Sequence, residues 1–248
     1  NIYGCTFRLF AQVFAKFGVE IEYLDFTDPA NFEAINAKKP VLVWIESPTN
    51  PLLKVIDIAE VAKATKNANA QLVVDNTFAS SYLQRPLGLG ADVSLVSTTK
   101  YSNGHSDALG GAVCSNSQEW QDKMIFAQKA LGLQPSPFDS WLITRGLKTE
   151  AIRMERHSEN ALRFAQFLED ESSAAFVRYP FLESHPQFEI AKRQMSGGSG
   201  IVTADLGTSL EKTQELLETL RFFPKAESLG GIESLCCHPA SMTHASVP

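Results

Sequence analysis

A lysine and an aspartate each follow a short apolar run. Lys100 comes shortly after Val93–Val96, and Asp75 directly follows Leu72–Val74. If both runs are parallel strands, the two side chains lie at the same edge of one sheet. There the lysine amine can form a Schiff base with an aldehyde, and the carboxylate can hold a nearby ring nitrogen protonated, as pyridoxal phosphate chemistry requires. Taken alone, Lys100 fits a solvated loop lysine, as most lysines are, and Asp75 fits an Asx-turn residue.

Hydroxyl and amide side chains accompany this pair. Ser97 and Thr99 stand beside the lysine, where they could bind a phosphate or simply cap the strand end. Asn50 lies between two prolines, in a loop rigid enough to aim its amide at a phenolic oxygen, although a plain Asn-Pro turn has the same sequence.

Two further groups are candidates because of their glycine neighbours. Tyr3 precedes Gly4, and a tyrosine at a point of close backbone approach can stack on a planar cofactor. Glu227 and Ser228 place a carboxylate and a hydroxyl just before a glycine pair, a pattern that ordinary turns also produce. Neither group identifies a site by itself.

The composition excludes several classes of function. The chain has 248 residues, 44% of them hydrophobic, and a net charge of −6 with no basic stripe, so we expect a globular protein that does not bind nucleic acid. No apolar stretch approaches the roughly 20 residues that span a bilayer, so no membrane association is expected. The four cysteines lack C-x-x-C spacing and the five histidines lack metal-binding spacing. We therefore predict no metal site and a reducing, cytoplasmic location.

The first half of the chain has the pattern of a βαβ series. Continuous apolar runs predict strands at Val41–Ile45, Leu72–Val74 and Val93–Val96, with a returning strand at Gly110–Cys114. Asp57 and Glu60 have the spacing of a capping box and predict a helix after the first strand. Ligands bind at the carboxyl ends of such strands.

The second half indicates a smaller α/β unit. A long helix is predicted from Glu150 to Asp170, followed by an apolar run at Ile201–Leu206 and a helical pattern at Leu210–Phe222. We assign residues 1–150 to a large cofactor-binding domain and residues 151–248 to a smaller C-terminal domain. Because the chain begins without methionine and ends without a helical pattern, we expect each domain to be incomplete.

The ordered motifs of the chain resemble those of the Cys/Met metabolism family of pyridoxal-phosphate enzymes. The resemblance spans nearly the whole chain and is specific because eight segments occur in the family's order. They are Tyr3–Phe10, Glu46–Pro51, Val74–Phe78, Ser97–Tyr101, Gly104–Asp107, Ser136–Asp139, Arg145–Thr149 and Glu227–His244. It implies an α/β protein of the type I, aspartate-aminotransferase-like fold, with a mostly parallel central sheet flanked by helices.

The resemblance also implies a role for each candidate residue and pyridoxal 5'-phosphate as the cofactor. Lys100 would form the Schiff base and carry protons, Asp75 would bind the ring nitrogen, and Tyr3 would stack on the ring and take part in catalysis. Ser97 and Thr99 would bind the phosphate and Asn50 the phenolic oxygen, while Ser228 would lie near the substrate carboxylate. The family's upstream phosphate loop, the tyrosine and arginine lent across its dimer, and its carboxylate-binding arginine lie outside these 248 residues.

The substrate is narrowed by three residues. The chain resembles the methionine γ-lyases at Cys5, but those enzymes lack residues that match Arg8 and Glu227. Arg8 and Glu227 favour a substrate with a polar, amino-acid-bearing distal group. Glu227 is expected to be a partly buried carboxylate that attracts the substrate's distal amine. The resemblance therefore implies cystathionine as substrate and Arg8, Glu227 and Ser228 as binding residues.

The resemblance leaves the reaction itself open. Val43–Glu46, Val55–Ile58 and residues 242–247 resemble the γ-lyases more closely, so we expect γ-elimination of cystathionine to cysteine, 2-oxobutanoate and ammonia. γ-Replacement of an activated homoserine ester by cysteine is the alternative, followed by methionine γ-elimination and a silent cofactor-binding scaffold. The resemblance further implies a homodimer as the active unit, within a homotetramer.

Overall fold

The computed structural model describes residues 2–171 and 174–244. Its main sheet has four strands in the order β1-β2-β3-β4, with β1, β2 and β3 parallel and β4 antiparallel to β3. The strands are β1 (Leu42–Glu46), β2 (Gln71–Asp75), β3 (Val93–Ser97) and β4 (Gly111–Cys114). The predicted mostly parallel sheet with a returning last strand is confirmed.

Nine α-helices lie within the described ranges. They are α1 (Gly4–Arg8), α2 (Phe32–Lys38), α3 (Ile58–Asn67), α4 (Ser80–Leu83), α5 (Gln118–Leu131), α6 (Pro137–Leu147), α7 (Glu150–Glu171), α8 (Phe188–Gln194) and α9 (Leu210–Thr219). A π-helical turn, Leu9–Val13, extends α1, and short 3-10 turns occur at Phe14–Phe17, Pro29–Asn31, Pro86–Leu89 and Pro239–Ser241.

Helix α3 forms because its first turn is capped and one of its faces is apolar. The Asp57 carboxylate accepts a hydrogen bond from Glu60 N at 3.3 Å, as the capping pattern predicted. Ile58, Val61 and Ala62 are buried against the sheet, where they share a core with Val43, Ile45, Leu72 and Val74. This packing covers one face of the sheet. Val73, which points to the opposite face of β2, is buried as well, so both faces are covered and the strand is a continuous apolar run.

A second, smaller sheet lies in the C-terminal part. Strands β5 (Phe176–Arg178) and β6 (Thr203–Asp205) pair antiparallel, and they pack with α7 through a core that includes Ala161, Ala165 and Tyr179. The Tyr179 hydroxyl is within hydrogen-bond distance of the carbonyls of Ser158 and Ser199, at 3.0 Å each. The predicted division of the chain at residue 150 coincides with the start of α7 and stays a prediction.

A buried amide network joins the two parts beside the end of β1. Gln84 Nε2 donates to Ser47 O at 2.6 Å and to Asn76 Oδ1 at 2.8 Å, and Gln194 Nε2 donates to Gln84 Oε1 at 2.9 Å. Gln84 and Asn76 are almost fully buried, so these bonds satisfy groups that would otherwise be costly to bury. The network fixes the loop that follows β1, which carries Asn50, and the loop that directly follows Asp75 at the end of β2.

Neither a membrane-spanning helix nor a metal-binding cluster occurs among the described residues. No helix in ranges 2–171 and 174–244 is both long enough and apolar enough to cross a membrane. Within the same ranges, no group of three or more histidine, cysteine or acidic side chains is arranged to hold a metal ion.

Candidate active site

Lys100 lies in the turn that follows β3, with its backbone bound at both ends. Lys100 N donates to Ser97 O at 3.1 Å, and Gly104 N donates to Lys100 O at 2.8 Å. Its side chain is half-buried, and Nζ donates to Ser228 Oγ at 3.0 Å. Burial lowers the pKa of Lys100, and the charges of Cys5 and Glu227 act in the opposite direction. A lysine with a lowered pKa is more readily neutral, and neutral amines form Schiff bases and accept protons.

Two carboxylates stand side by side at the carboxyl edge of the sheet. Glu46 ends β1 and Asp75 ends β2, and the parallel register makes their Cα atoms direct partners. Thr77 N donates to Asp75 Oδ1 at 2.9 Å, so the Asx turn that the sequence allowed is present. Burial raises the pKa of Asp75, while its hydrogen bonds to Thr77 lower it. A cation near Asp75, such as a protonated ring nitrogen, would favour its charged form.

The two hydroxyls before Lys100 differ in their surroundings. Thr99 Oγ1 accepts from Gly110 N at 3.0 Å and lies 3.3 Å from Gly110 O, so it ties the lysine turn to the residue just before β4. Ser97 is half-buried, and its backbone N–H donates to Thr77 Oγ1 at 2.9 Å. Both residues therefore lie at the carboxyl edge of the sheet beside Lys100, where phosphate binding remains a prediction for each.

Tyr3 is held beside this edge by its backbone. Tyr3 N lies 2.9 Å from Glu46 Oε1 and 3.0 Å from Oε2, and it donates to this carboxylate. A hydrogen bond between the Tyr3 and Cys5 side chains, together with partial burial, raises the pKa of Tyr3 to about 12. The Tyr3 hydroxyl therefore keeps its proton at neutral pH and is a donor rather than a base.

The loop after β1 holds Asn50 at the same edge. Thr49 N donates to Lys54 O at 2.9 Å, and Lys54 N donates to Thr49 Oγ1 at 3.1 Å, which closes the loop around Asn50. The backbone N–H of Asn50 also binds the Glu46 carboxylate. The rigid loop expected from the sequence is thus present, while the contact of Asn50 with a phenolic oxygen stays a prediction.

Arg8 and Glu227, the two residues expected to select the substrate, lie near the lysine in different environments. Arg8 is half-buried, and its Nη2 donates to Cys5 Sγ at 2.8 Å. Glu227, in the irregular segment between α9 and Gly230, is exposed, contrary to the partly buried position that we expected. Its charge nevertheless raises the pKa values of Lys100 and Tyr3, so it acts electrostatically on the site.

The turn that carries Ser228 lies directly on the lysine backbone. Ser228 has a φ of 142° and Gly230 a φ of +80°. A Cβ atom built on Gly230 would lie 2.5 Å from Tyr101 N and 2.8 Å from Lys100 C, so only glycine fits there. A strained serine conformation next to such a contact is typical of functional turns.

We expect Gly230→Ala to destabilise the protein because its methyl group would overlap the backbone of Lys100 and Tyr101. Overlap of this kind costs about 1–3 kcal/mol, in addition to the cost of a left-handed alanine. Gly18→Ala is the matched control, since Gly18 has a φ of +79° and no neighbouring atom within 4 Å of its Cβ position. Denaturant unfolding of both variants measures the difference, and equal losses would contradict a close contact at Gly230.

Three positioning residues were not assigned a role from the sequence. Glu46 is predicted from the sequence only to lie at a strand end within the segment Glu46–Pro51, and Thr77 lies within the segment Val74–Phe78 without a role of its own. Arg153 in α7 donates from Nη1 to Tyr101 O at 2.7 Å and from Nη2 to Gly146 O at 2.8 Å, and thereby fixes the peptide after Lys100. The strand-end position of Glu46 was a usable signal, whereas nothing in the sequence connects Arg153 with Tyr101.

The arrangement described above is found in a known family. The sequence profile of the Cys/Met metabolism PLP-dependent enzymes matches residues 1–248. The chain belongs to this family. Pyridoxal phosphate is therefore its cofactor, and the α/β fold of the family's transferases, predicted from the motifs, is confirmed.

Relatives with three different activities are similar to this chain. The cystathionine γ-lyase of Bos taurus is 50% identical over 249 residues, covering 100% of this chain and 62% of its own length. The cystathionine β-lyase of Coxiella burnetii is 47% identical over 251 residues, covering 100% of this chain and 65% of its own. The cystathionine γ-synthase of Xanthomonas oryzae pv. oryzae, solved with aminoacrylate and cysteine, has a TM-score of 0.96 at 42% identity, covering 100% of this chain and 64% of its own. This chain thus spans less than two thirds of each relative.

The donor set at the sheet edge fits this cofactor. An amine with a lowered pKa, a carboxylate that favours a nearby cation, and the hydroxyls of Ser97 and Thr99 are the groups that an aldehyde, a ring nitrogen and a phosphate require. The structure brings Lys100, Asp75, Tyr3, Asn50, Ser97, Thr99 and Ser228 to one edge of the sheet. Residues 245–247 of the segment that resembles the γ-lyases lie outside the described ranges.

Proposed function

We propose that the whole protein cleaves cystathionine by γ-elimination to give cysteine, 2-oxobutanoate and ammonia. The chain belongs to the Cys/Met metabolism family, and cystathionine lyases and a cystathionine synthase are similar to it. These similarities support cystathionine as the substrate. The observation that carries the proposal is the half-buried Lys100 amine, with its lowered pKa and its contact with Ser228, at the edge that also holds Asp75.

The site residues have distinct proposed roles toward the cofactor. When bound, pyridoxal phosphate supplies an aldehyde that takes the substrate amine and a protonated ring that withdraws electrons from the substrate carbons. The Asp75 carboxylate holds the proton on the ring nitrogen, and Asn50 binds the phenolic oxygen. Ser97 and Thr99 bind the phosphate, and Tyr3 stacks on the ring.

Lys100 moves the protons of the reaction. Its amine must be neutral to act as a base, and burial favours the neutral form by lowering its pKa. Lys100 takes the Cα proton, gives it up again, and as a neutral amine takes a Cβ proton, after which the γ-sulfur can leave. The contact of Nζ with Ser228 Oγ at 3.0 Å orients the free amine once the substrate amine has replaced it on the cofactor.

Tyr3 acts on the leaving group as a hydrogen-bond donor. Its pKa is raised to about 12, so its hydroxyl keeps its proton at neutral pH and can donate to the sulfur of the departing cysteine as negative charge develops there. Water then releases 2-oxobutanoate and ammonia. In the alternative, γ-replacement, cysteine instead of a proton adds to the same four-carbon unit, so the same residues serve both reactions.

Arg8 and Glu227 are the proposed contacts for the distal end of the substrate. Cystathionine carries an amino and a carboxylate group on the far side of its sulfur, and a guanidinium and a carboxylate can pair with them. Both are linked to the surroundings of Lys100. Arg8 donates a hydrogen bond to Cys5, and the charges of Cys5 and Glu227 both raise the pKa of Lys100. Methionine has no such distal charges, so these residues favour cystathionine over methionine.

We expect the full-length protein to release cysteine and 2-oxobutanoate from cystathionine at least tenfold faster than it makes cystathionine, a difference of about 1.4 kcal/mol. One assay supplies cystathionine alone, and the other supplies an activated homoserine ester with cysteine. Mass spectrometry of the products distinguishes the outcomes. Homocysteine with pyruvate would indicate a β-lyase, and faster cystathionine formation a γ-synthase; either result overturns the proposed γ-elimination.

A homodimer, within a homotetramer, is the proposed assembly. Large apolar side chains on α5 and α6 are strongly exposed in the single chain: Phe126 at 73%, Leu131 at 70%, Phe138 at 66% and Trp141 at 59%. Contiguous exposed apolar surface is typical of subunit interfaces. Sedimentation of the whole protein measures the assembly, and an active monomer would contradict it.

A reducing compartment, such as the cytoplasm, is the proposed location. Cys5, Cys114, Cys236 and Cys237 are all free thiols in the described structure. Burial raises the pKa values of Cys236 and Cys237, which keeps these adjacent thiols protonated and less reactive.

A further inference from the structure

Glu46 is a buried carboxylate at the centre of the site that the proposed reaction does not use. It ends β1, only 6% of its surface is exposed, and its Cα partner in the next strand is Asp75. Burying a carboxylate beside a second carboxylate is unfavourable unless hydrogen bonds compensate for the lost water. The hydrogen bonds of Glu46 therefore indicate what this side chain does.

Both oxygens of Glu46 face backbone N–H groups of other site segments. Oε1 and Oε2 lie 2.9 and 3.0 Å from Tyr3 N, and the Asn50 backbone N–H donates to the same carboxylate. Tyr3 is 43 residues away in sequence, on the short segment before α1, whereas Asn50 lies in the loop that follows β1. One side chain thus joins two segments that come from separate parts of the fold.

The N-terminal segment has further contacts with its surroundings. The Tyr3 ring meets the His244 ring edge-on at a centroid distance of 6.4 Å, and the His244 side chain interacts with the backbones of Ile2 and Asn50. Phe10, beyond α1, packs on Trp44 of β1 at a centroid distance of 5.3 Å. Glu46 adds to these contacts a direct bond between the Tyr3 backbone and the last residue of β1, the strand that leads to Asn50.

We infer that Glu46 is a positioning residue that holds Tyr3 and Asn50 at fixed positions relative to each other, at the edge of the sheet that binds the cofactor. The inference rests on the proposed cofactor contacts of Tyr3 and Asn50. Glu46 does not touch the reacting atoms; it acts through the backbones of the two residues that do. Loss of the Glu46 carboxylate therefore changes the orientation of the bound cofactor directly, and it affects proton transfer only through that orientation.

The test is Glu46→Gln in the full-length protein. Glutamine has the same size as glutamate, but an NH₂ group replaces one of the two oxygens. This NH₂ group is a donor and cannot accept a hydrogen bond from a backbone N–H. Above pH 8, where Glu46 is ionised, we expect roughly tenfold weaker binding of pyridoxal phosphate and a reduced visible circular dichroism of the bound cofactor, since a lost hydrogen bond to a charged group has this effect. Glu215→Gln, on the exposed surface of α9, is the matched control and should match the wild type.

A stability measurement on the cofactor-free protein separates positioning from a general structural role. Burial and the Asp75 charge raise the pKa of Glu46 from 4.5 to about 8. The stability that Glu46 contributes is therefore fully present below pH 4.5 and is lost as the pH rises through 8. Glu46→Gln removes this loss, so its unfolding free energy should depend less on pH than that of the wild type, while cofactor binding is still weakened.

Glu46→Asp provides a second variant if the glutamine protein does not fold. Aspartate keeps the charge beside Asp75 but is too short to reach both Tyr3 N and Asn50 N, so it should weaken the cofactor dichroism as glutamine does. Wild-type binding and dichroism in either variant would overturn the inference, as would a loss in Glu46→Gln fully explained by unfolding of the cofactor-free protein. A wild-type protein that binds the cofactor but does not cleave cystathionine would count against the proposed reaction and leave the role of Glu46 open to the same spectroscopic test.

Discussion

Replacing Lys100 with alanine is expected to abolish cystathionine cleavage together with the visible absorbance of lysine-bound cofactor. The variant loses the only amine that we place at the carboxyl edge of the sheet, and with it the group that takes the Cα proton. Losing a positioned base and a covalent attachment point together should lower kcat by at least about 10³-fold. Steady-state kinetics and an absorbance spectrum of the purified full-length variant measure the two effects.

Lys212→Ala is the control for this substitution, since Lys212 is an exposed lysine on α9, a helix to which we assign no part of the site. It should keep wild-type kinetics and spectrum. Retained cystathionine cleavage in Lys100→Ala would remove the basis of the proposed function. A wild-type protein that shows the lysine-bound absorbance but turns over none of the substrates would favour the silent scaffold instead.

Asp75→Asn is expected to lower kcat by about 10²-fold or more, which corresponds to about 3 kcal/mol of lost transition-state stabilisation. Asparagine keeps an oxygen that can accept the 2.9 Å hydrogen bond from Thr77 N, so the turn after β2 should be preserved. The neutral amide, however, cannot hold a proton on a ring nitrogen as a carboxylate does. The loss should therefore appear in kcat and in the spectrum of the bound cofactor, with little change in the free energy of unfolding.

The exposed Asp170, near the end of α7, provides the matched control as Asp170→Asn. This variant should differ from the wild type by less than twofold in kcat, because surface substitutions away from a site have small effects. If Asp75→Asn also stayed within twofold of the wild type, the carboxylate would have no part in activating the cofactor, and the assignment of Asp75 would be wrong.

The strand ends of the main sheet were predictable from the sequence because strands covered on both faces are apolar throughout and stop at polar residues. Asp75 at the end of β2 and Lys100 just beyond β3 follow from this pattern. The capping residue Asp57 fixed the start of α3 for a similarly local reason. Predictions that depend on neighbouring residues in the chain therefore succeeded.

Contacts between distant segments could not be predicted in the same way. Lys100 and Ser228 are 128 residues apart, and only the tertiary fold brings the turn with Gly230 onto the lysine backbone. The chemistry of Glu227 suggests a partly buried side chain, but in the fold this side chain is exposed. The role of Glu46 was missed because its importance lies in the backbone groups that it binds, which no side-chain motif encodes.

The backbone around Lys100 is held from three sides. Gly230 packs against it, Arg153 binds Tyr101 O at 2.7 Å, and a Cβ on Gly146 would lie 2.1 Å from Asn103 O. With the main chain fixed, the amine moves only by rotation about the bonds of its own side chain. The conformational entropy lost when it reaches a substrate carbon is then that of a single side chain, about 1.5–2 kcal/mol, with no added cost for ordering a loop.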